Sequence, residues 1–568
     1  MSRLPLFTSL RGYDRSWLRF DLVAGMTVWA VLVPEALAYA TIAGVSPVIG
    51  LYAAPPALLL YAAFGSSKHL VTGPMAATAA LSAAAVADLV AGGTDKYVAF
   101  TAALAIVTGV LALGAGLLRL GFLANFISEP VLKGFIIGLA LTIMVGQLPK
   151  LFGFEKTSGD FFEQLWGFVT HLDDTSLVTL LVGALSLLVV LGFRRFLPVV
   201  PGSLVAVLLG IAAVHIFDLS THGVAIVGHI DSGLPTVGLP DAVGAADYGR
   251  LVASAVGVML VGFAEGLGAA KTYAARDHYD IDANKELMGL GAANIGAGLC
   301  GGMVVNGSLS KTAVNGSAGA RSQISSLVVA VLTIVTLLFL TGLFEDLPEA
   351  TLAAVVIAAL IELVDIPALV KLFRVYSGRL GQIYGFAARA DFIAAVAALL
   401  GVLVFDTLPG LFIGIAVSVL LLVYRASRPH VAILGADNAG VWVDVARHPK
   451  ASPRPDVLVV RPEGGLFYAN ADAVRHEVLA LVTPTTTAVV LDAQSVPAID
   501  VTAAEMLIAL QHELDRRKIR LLIARDVGQV RDVLDHSDAA DLSPYLHPTV
   551  RDAIQSLGDD NTQRDSTP

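Results

Sequence analysis

The sequence predicts a polytopic α-helical membrane protein that ends in a small α/β domain. Three observations carry this. The 568 residues are 56% hydrophobic and only 15% charged, with a mean hydropathy of +0.74, whereas soluble domains are about 25% charged. Apolar stretches close to the roughly 20 residues that span a bilayer recur along the first three quarters of the chain. Charge is also unevenly placed: about 24% of residues are charged from Pro429 onward and about 12% before it. Surfaces so poor in charge would be bare in water, which excludes soluble multidomain, disordered, fibrous and disulfide-stapled classes. The single cysteine, Cys300, allows neither an intrachain disulfide nor a thiolate metal cage. A net charge of −10 argues against a nucleic-acid partner.

Residues 1–20 carry Arg3, Arg11, Arg15 and Arg19 but no apolar core or small-residue cleavage site, so a cytoplasmic N-terminal segment is expected. In residues 21–428, spans are expected near 22–40, 47–64, 70–88, 97–117, 123–147, 176–193, 199–217, 251–270, 287–304, 309–318, 322–343, 351–365, 391–406 and 409–424. The third and tenth are short or rich in Gly, Ser and Thr. Interrupted segments at matching places in two halves point to the broken helices of a transporter, and a seven-plus-seven division places these two so. Loops assigned to the cytoplasm carry Lys68, Arg119, Arg194, Arg195, Lys271, Arg276, Lys285, Arg321, Lys371, Arg374, Arg379 and Arg389. The stretch 218–249 has no Lys or Arg, and Lys96, Lys150 and Lys156 are the exceptions outside. This asymmetry predicts that both termini are cytoplasmic and that the protein sits in the cytoplasmic (inner) membrane among lipid.

The rest divides into a linker at 429–452, an α/β domain at 453–558 and a disordered tail at 559–568. Val457–Val460, Ala488–Leu491 and Leu521–Ala524 read as strands. Asp472–Leu481 and Thr502–Leu514 have helical spacing of apolar residues, with Asn470 and Asp500 placed as caps.

Four motifs carry chemistry. Val33-Pro34-Glu35 puts an acid beside a helix-breaking proline in the first span. Ionisable groups at membrane depth are costly and usually functional or paired. Gly73-Pro74, ahead of an Ala-rich run from Met75, Ala76 and Ala77, starts a helix whose free N–H groups and dipole attract anions. Glu265 lies in the long apolar eighth segment, where a carboxyl suits reversible proton uptake. Asn306-Gly307-Ser308-Leu309-Ser310-Lys311-Thr312 flanks one cation with small and hydroxyl residues. Lys311 could serve an anion, Glu265, or both; snorkelling to the surface is the bland alternative. His69 and His278 are isolated and read as loop residues. No Walker loop or nucleophile–base set is present, so neither an ATP-driven pump nor an enzyme is expected, nor any cofactor or metal.

At these motifs the chain resembles the sulfate permease (SulP) family of anion transporters. The resemblance runs from about Arg19 to Leu557. It rests on Pro34-Glu35-Ala36-Leu37-Ala38-Tyr39-Ala40 leading to Gly73-Pro74, on Glu265, on Asp282-Ala283-Asn284-Lys285-Glu286-Leu287, on Gly307–Thr312, and on a tail that looks like a STAS domain. It implies fourteen spans in a seven-plus-seven inverted repeat with core and gate domains, and a dimer. It also implies a substrate site at the broken third and tenth helices, on Met75, Ala76, Ala77, Ser308, Leu309, Ser310 and Lys311. Two departures stand out. Lys311 takes the place of an Arg common in relatives, giving a point charge rather than a planar fork. Val501 stands where anti-sigma antagonists have a phosphorylatable Ser, which puts phospho-switching of the tail in doubt and leaves Thr502 as a weak candidate. The function expected is secondary-active import of an inorganic anion, sulfate first, coupled to protons through Glu265, with Glu35 as the second ion-coupling candidate. The alternatives are bicarbonate or dicarboxylate transport, with sodium as coupling ion, and an anion channel or sensor acting through the tail.

Overall fold

A computed structural model describes residues 6–10, 12–87, 89–90, 94–122, 128–157, 159–197, 200–230, 232–375, 389–405 and 407–564. The chain divides into two units, Met1–Val375 with Asp391–Ser418, and Tyr376–Ala390 with Val419–Pro568. Arg3, Arg11 and Arg379 of the expected cytoplasmic charges lie outside the described residues.

The first unit is helical. It contains α1 (Leu18–Ile42), α2 (Pro47–Phe64), β1 (Val71–Gly73), α3 (Ala76–Ala87), α4 (Asp95–Leu117), α5 (Glu129–Phe152), α6 (Phe161–Thr170), α7 (Leu177–Phe196) and α8 (Gly202–Phe217). Then follow α9 (Ala245–Arg276), α10 (Ala283–Leu299), β2 (Asn306–Ser308), α11 (Leu309–Ser317), α12 (Ile324–Phe339), α13 (Glu349–Ile361), α14 (Ile366–Val375), α15 (Ala390–Phe405) and α16 (Thr407–Ala426), the last of which passes into the second unit at Val419. Among the described residues, eight helices are long and apolar enough to cross a membrane, and α3, α8, α12 and α15 are shorter apolar helices. With α10 and α11, each expected span meets a helix. The ten-residue helices α6 and α14 are additions between spans.

Small residues let these helices approach closely, as packing without a hydrophobic drive requires. A Cβ on Gly291 of α10 would stand 2.6 Å from the backbone nitrogen of Leu113 on α4, and one on Gly109 would stand 2.6 Å from the Gly291 carbonyl. Only glycine fits that seam. Helix α1 runs unbroken through Pro34, so of the break or kink expected there no break occurs. Proline still removes the N–H that the Ala30 carbonyl would have met one turn on.

The third and tenth spans are interrupted as expected, but by strands. β1 and β2 pair antiparallel, Val71 with Ser308, Thr72 with Gly307 and Gly73 with Asn306. Gly73-Pro74 then ends β1 ahead of α3, and Ser308 caps α11 by accepting the Lys311 N–H.

The second unit holds a six-stranded sheet in the order β4-β3-β5-β6-β7-β8. Its elements are β3 (Val431–Ala436), β4 (Trp442–Asp444), β5 (Val457–Pro462), α17 (Ala471–Leu481), β6 (Ala488–Asp492), α18 (Val501–Arg516), β7 (Arg520–Ala524), α19 (Gly528–Asp535), β8 (Leu546–His547) and α20 (Val550–Arg564). Strands β5 to β8 run parallel, while β3 is antiparallel to β4 and β5. Alternate residues feed opposite faces. Val460, Val489, Leu491, Leu521 and Ile523 pack with α17, α18 and α19, and Val459, Val490 and Leu522 with Val550 and Ala553 of α20.

Three expectations are corrected here. Residues 429–452 are not a bare linker: they supply β3 and β4, which pair through backbone hydrogen bonds that side-chain type does not announce. Helix α20 continues to Arg564, into the segment expected to be disordered, while 565–568 lie outside the described residues. Asp500 caps α18 through the Ala503 N–H, but Asn470 does not cap α17. Its Oδ1 instead accepts the Phe467 N–H, and its Nδ2 donates to the carbonyls of Gly465 and Ala426.

Candidate functional site

The β1–β2 ribbon is the centre of the first unit's polar interior. Because its strands are antiparallel, α3 and α11 leave it from opposite ends. Both helices therefore turn the positive ends of their dipoles toward the ribbon. The first-turn N–H groups of each helix have no intrahelical acceptor. Met75 is half-buried, and Ala76 and Ala77 are buried at the start of α3. Ser308 is buried, with its Oγ 3.2 Å from that of Ser310. Leu309 and Ser310 are exposed, so the start of α11 borders open space.

Lys311 does not turn outward and does not meet Glu265. It is 1% exposed, and its Nζ lies 2.7 Å from Oε2 of Glu35 on α1. The same ammonium donates to the Pro74 carbonyl at 3.1 Å and sits 5.0 Å from the centre of the Tyr39 ring. One cation thus joins α11, the lead-in to α3 and the proline turn of α1. Helix position explains the choice: Lys311 is on the first turn of α11, at the ribbon end facing α1. The pair cancels its own charge, which leaves the helix starts as the source of positive potential.

Glu265 is half-buried on α9 and accepts a hydrogen bond from Asn306 Nδ2 at 3.4 Å. Among the described residues no cation stands within ion-pair distance of it. Helix α9 reaches the ribbon because Gly262 and Gly266 face Asn306; a Cβ on Gly266 would lie 3.1 Å from Asn306 Oδ1. The structure therefore brings Glu35, Lys311, Met75–Ala77 and Ser308 together around the ribbon, Lys311 reaching Pro74 from its other end, with Glu265 joined through Asn306.

Sequence reasoning missed the residues that hold the ribbon. Glu286, fully buried on α10, accepts from Tyr61 Oη at 2.7 Å, Ser66 Oγ at 2.7 Å, Ser66 N at 2.8 Å and Ser67 N at 3.1 Å. Asp21, fully buried on α1, accepts from Arg321 N, Ser322 N and Ser322 Oγ. Buried carboxylates persist when every lone pair is used in this way. Thr312 Oγ1 accepts the Val71 N–H, and Gln323 Nε2 donates to the carbonyls of Ser67 and Leu70. His69, read as an isolated loop residue, is buried among them. The signal available was a cluster of polar residues in otherwise apolar surroundings, Ser66 to His69 and Asp282 to Glu286.

Residues 18–380 match the sulfate permease family, and residues 448–553 match the STAS domain. The chain belongs to the sulfate permease family. This permease is 35% identical over 560 residues to a probable sulfate transporter of Mycobacterium tuberculosis, covering 97% of this chain and 98% of the other. It is 30% identical to the high affinity sulfate transporter 2 of Stylosanthes hamata, covering 98% and 86%. Among solved structures it is similar to SLC26A9, with a TM-score of 0.85 at 20% identity and coverage of 99% and 94%. The transmembrane domain of a cyanobacterium bicarbonate transporter, BicA, gives a TM-score of 0.60 at 24% identity, covering 69% of this chain and 98% of that one. The permease is thus a multi-pass membrane transporter of the fourteen-span, inverted-repeat fold with a C-terminal STAS domain, and not an enzyme.

Proposed function

We propose that the protein carries out secondary-active transport of an inorganic anion, sulfate before others, across the cytoplasmic membrane. The observation that carries this reading is the pair of half-helices, α3 and α11, aiming their N-termini at one ribbon beside a neutralised ion pair. Backbone N–H groups of Met75–Ala77 and Ser308–Ser310 hold the anion, and helix dipoles supply attraction without a free cation in the way. Lys311 shapes the site by fixing α11 to Glu35 and Pro74. Sulfate as substrate is supported by relatives that match along nearly the whole chain and are themselves named sulfate transporters. Glu265 is the coupling group: it faces a neutral amide, so it can change protonation without breaking an ion pair. A proton is the co-transported ion on this reading. The charge asymmetry between loops supports cytoplasmic termini and a cytoplasmic STAS domain, and the family resemblance supports a homodimer.

Labelled-anion uptake by the purified protein in proteoliposomes tests the proposal, comparing sulfate, bicarbonate and succinate, with and without a pH or sodium gradient. Sulfate uptake that rises with an inward proton gradient is expected. Uptake driven by sodium with bicarbonate preferred would reject it.

A further inference from the structure

His69 stands in the turn between α2 and β1 and is 3% exposed. Its Nε2 lies 3.0 Å from the Ala320 carbonyl oxygen and 3.0 Å from Asp277 Oδ2. Both are acceptors, so Nε2 carries a proton. Nδ1 lies 3.2 Å from Tyr279 Oη. That hydroxyl accepts the Lys68 N–H at 3.2 Å and meets Ser67 Oγ at 3.1 Å. Ser67 Oγ in turn accepts the N–H groups of His69 at 3.3 Å and Leu70 at 3.1 Å.

A hydroxyl offers one proton and two lone pairs. Both lone pairs of Ser67 Oγ are taken, so its proton goes to Tyr279. Both lone pairs of Tyr279 are then taken, by Lys68 N–H and Ser67 O–H, so its own proton goes to His69 Nδ1. The chain of bonds closes only around a neutral imidazole. A proton added at Nδ1 would give Tyr279 a third donor and leave the phenolic proton without an acceptor. At least one bond in the 67–70 turn must then break. That turn runs directly into β1, and it is tied to the other arm of the site by Asn315 Nδ2, which donates to the His69 carbonyl at 2.9 Å.

We propose that His69 is a positioning residue that links proton activity at its face of the membrane to the anion site: its protonation loosens the 67–70 turn, displaces β1 and weakens transport. This rests on the transport reading above. The charged and titratable groups facing the imidazole are Lys68 on its own turn, Tyr273 and Asp277 at the end of α9, Tyr279 beyond it, and Asp21 on α1. Asp277 is 43% exposed, and a cavity of about 350 Å³ lined by Ser66, Lys68, Tyr279, Asp280, Asp282 and Lys285 opens beside the network. Water therefore has a route to the proton's entry point. Burial lowers the affinity of His69 for a proton more than Asp277 raises it. A histidine whose folded-state pKa is depressed supports the folded turn at neutral pH, and that support is lost as pH falls toward the folded value.

The experiment uses the full-length protein in proteoliposomes, with pH varied on each side independently. Acidification of the His69 face from about pH 7.5 to about pH 5.5 should reduce wild-type sulfate uptake about threefold or more, mainly as a raised KM. His69→Gln keeps a donor for Ala320 and cannot become a cation, so its profile from that face should keep only the change that the altered proton gradient imposes and lose the additional rise in KM. Tyr279→Phe removes the contested hydroxyl and should also lose that rise. A His69→Gln profile that parallels the wild type overturns the proposal. Hydrogen–deuterium exchange of residues 66–74, corrected for intrinsic rate, needs no transport. Faster exchange on acidification in the wild type but not in His69→Gln supports the proposal, and an equal response in both overturns it. A wild type that takes up no sulfate refutes the transport reading instead, and the exchange result still decides the role of His69.

Discussion

Glu35 on α1 and Glu265 on α9 belong to the first spans of the two seven-span halves, yet their surroundings differ in kind. Glu35 is 8% exposed and bound to an ammonium at 2.7 Å. Glu265 is half-buried and meets only a neutral amide, at 3.4 Å, among its described partners. On the transport reading proposed above, the difference sets an acid that holds structure apart from one that couples to protons. A buried acid with a dedicated cation holds three elements in register, and removing either partner leaves the other charge buried alone. An acid beside an amide can change charge while its neighbour simply turns. The repeat thus supplies two carboxyls, and local packing gives them different work.

Breaking the first of the two should have the largest effect. Lys311→Ala leaves Glu35 buried and uncompensated, which costs about 3–5 kcal/mol. A sharply lower thermal midpoint of the detergent-purified protein is expected, along with loss of uptake. The double variant Glu35→Gln/Lys311→Met removes both charges and should recover most of that midpoint. Lys311→Arg keeps the charge but must fit a planar group into a fully buried space, and should fall between. If Lys311→Ala melts like the wild type, the contrast between the two acids is wrong.

Packing around Glu35 is equally unforgiving. A Cβ at Gly50 of α2 would stand 2.0 Å from the Ala36 carbonyl oxygen, backbone against backbone. Gly50→Ala should therefore destabilise by about 1–3 kcal/mol, read as lower yield of monodisperse protein and a lower thermal midpoint.

Around Glu265 the expected pattern is reversed. Glu265→Gln preserves shape and the Asn306 contact, so stability should change by less than about 1 kcal/mol. Acid-stimulated uptake should vanish in the same variant. Unchanged pH dependence would remove Glu265 from the coupling role. The smallest effect is expected from Gly266→Ala. Its Cβ would come within 3.1 Å of Asn306 Oδ1, the end of a side chain that can shift. Stability should move by about 0.5 kcal/mol or less, while the pH profile of uptake is displaced because the amide facing Glu265 has turned.

The parts of this contrast were visible in the sequence to different degrees. Glu35, Glu265 and Lys311 stand out because a charge inside an apolar run is conspicuous without any structure. Their partners were not visible. Lys311 could have met an anion, Glu265 or the surface, and its pairing with Glu35 depends on where the first turn of α11 lands against α1. Asn306 looked like part of a small-residue motif, and only its place opposite Gly262 and Gly266 makes it the neighbour of Glu265. His69 and Asp21 were passed over, and Glu286 entered only as part of a family motif with no role, because each lies at the edge of a span, where polar residues are ordinary. Their burial comes from other segments folding over them.

The amino-acid sequence by itself determined the membrane class, the positions of the fourteen spans, the interruption of the third and tenth, and the strand–helix alternation of the STAS domain. These properties follow from transfer of apolar side chains out of water, from helix starts at Pro74 and Ser308, and from periodicities that repeat within a few residues. Tertiary structure alone decided the β1–β2 register, the Lys311–Glu35 pair, the closed hydrogen-bond chain around a neutral His69, and the recruitment of β3 and β4 to the sheet. Three-residue strands such as Val71–Gly73 and Asn306–Ser308 are too short to show alternation. Their pairing is between backbone groups that every residue carries, so only the meeting of distant segments in space selects them.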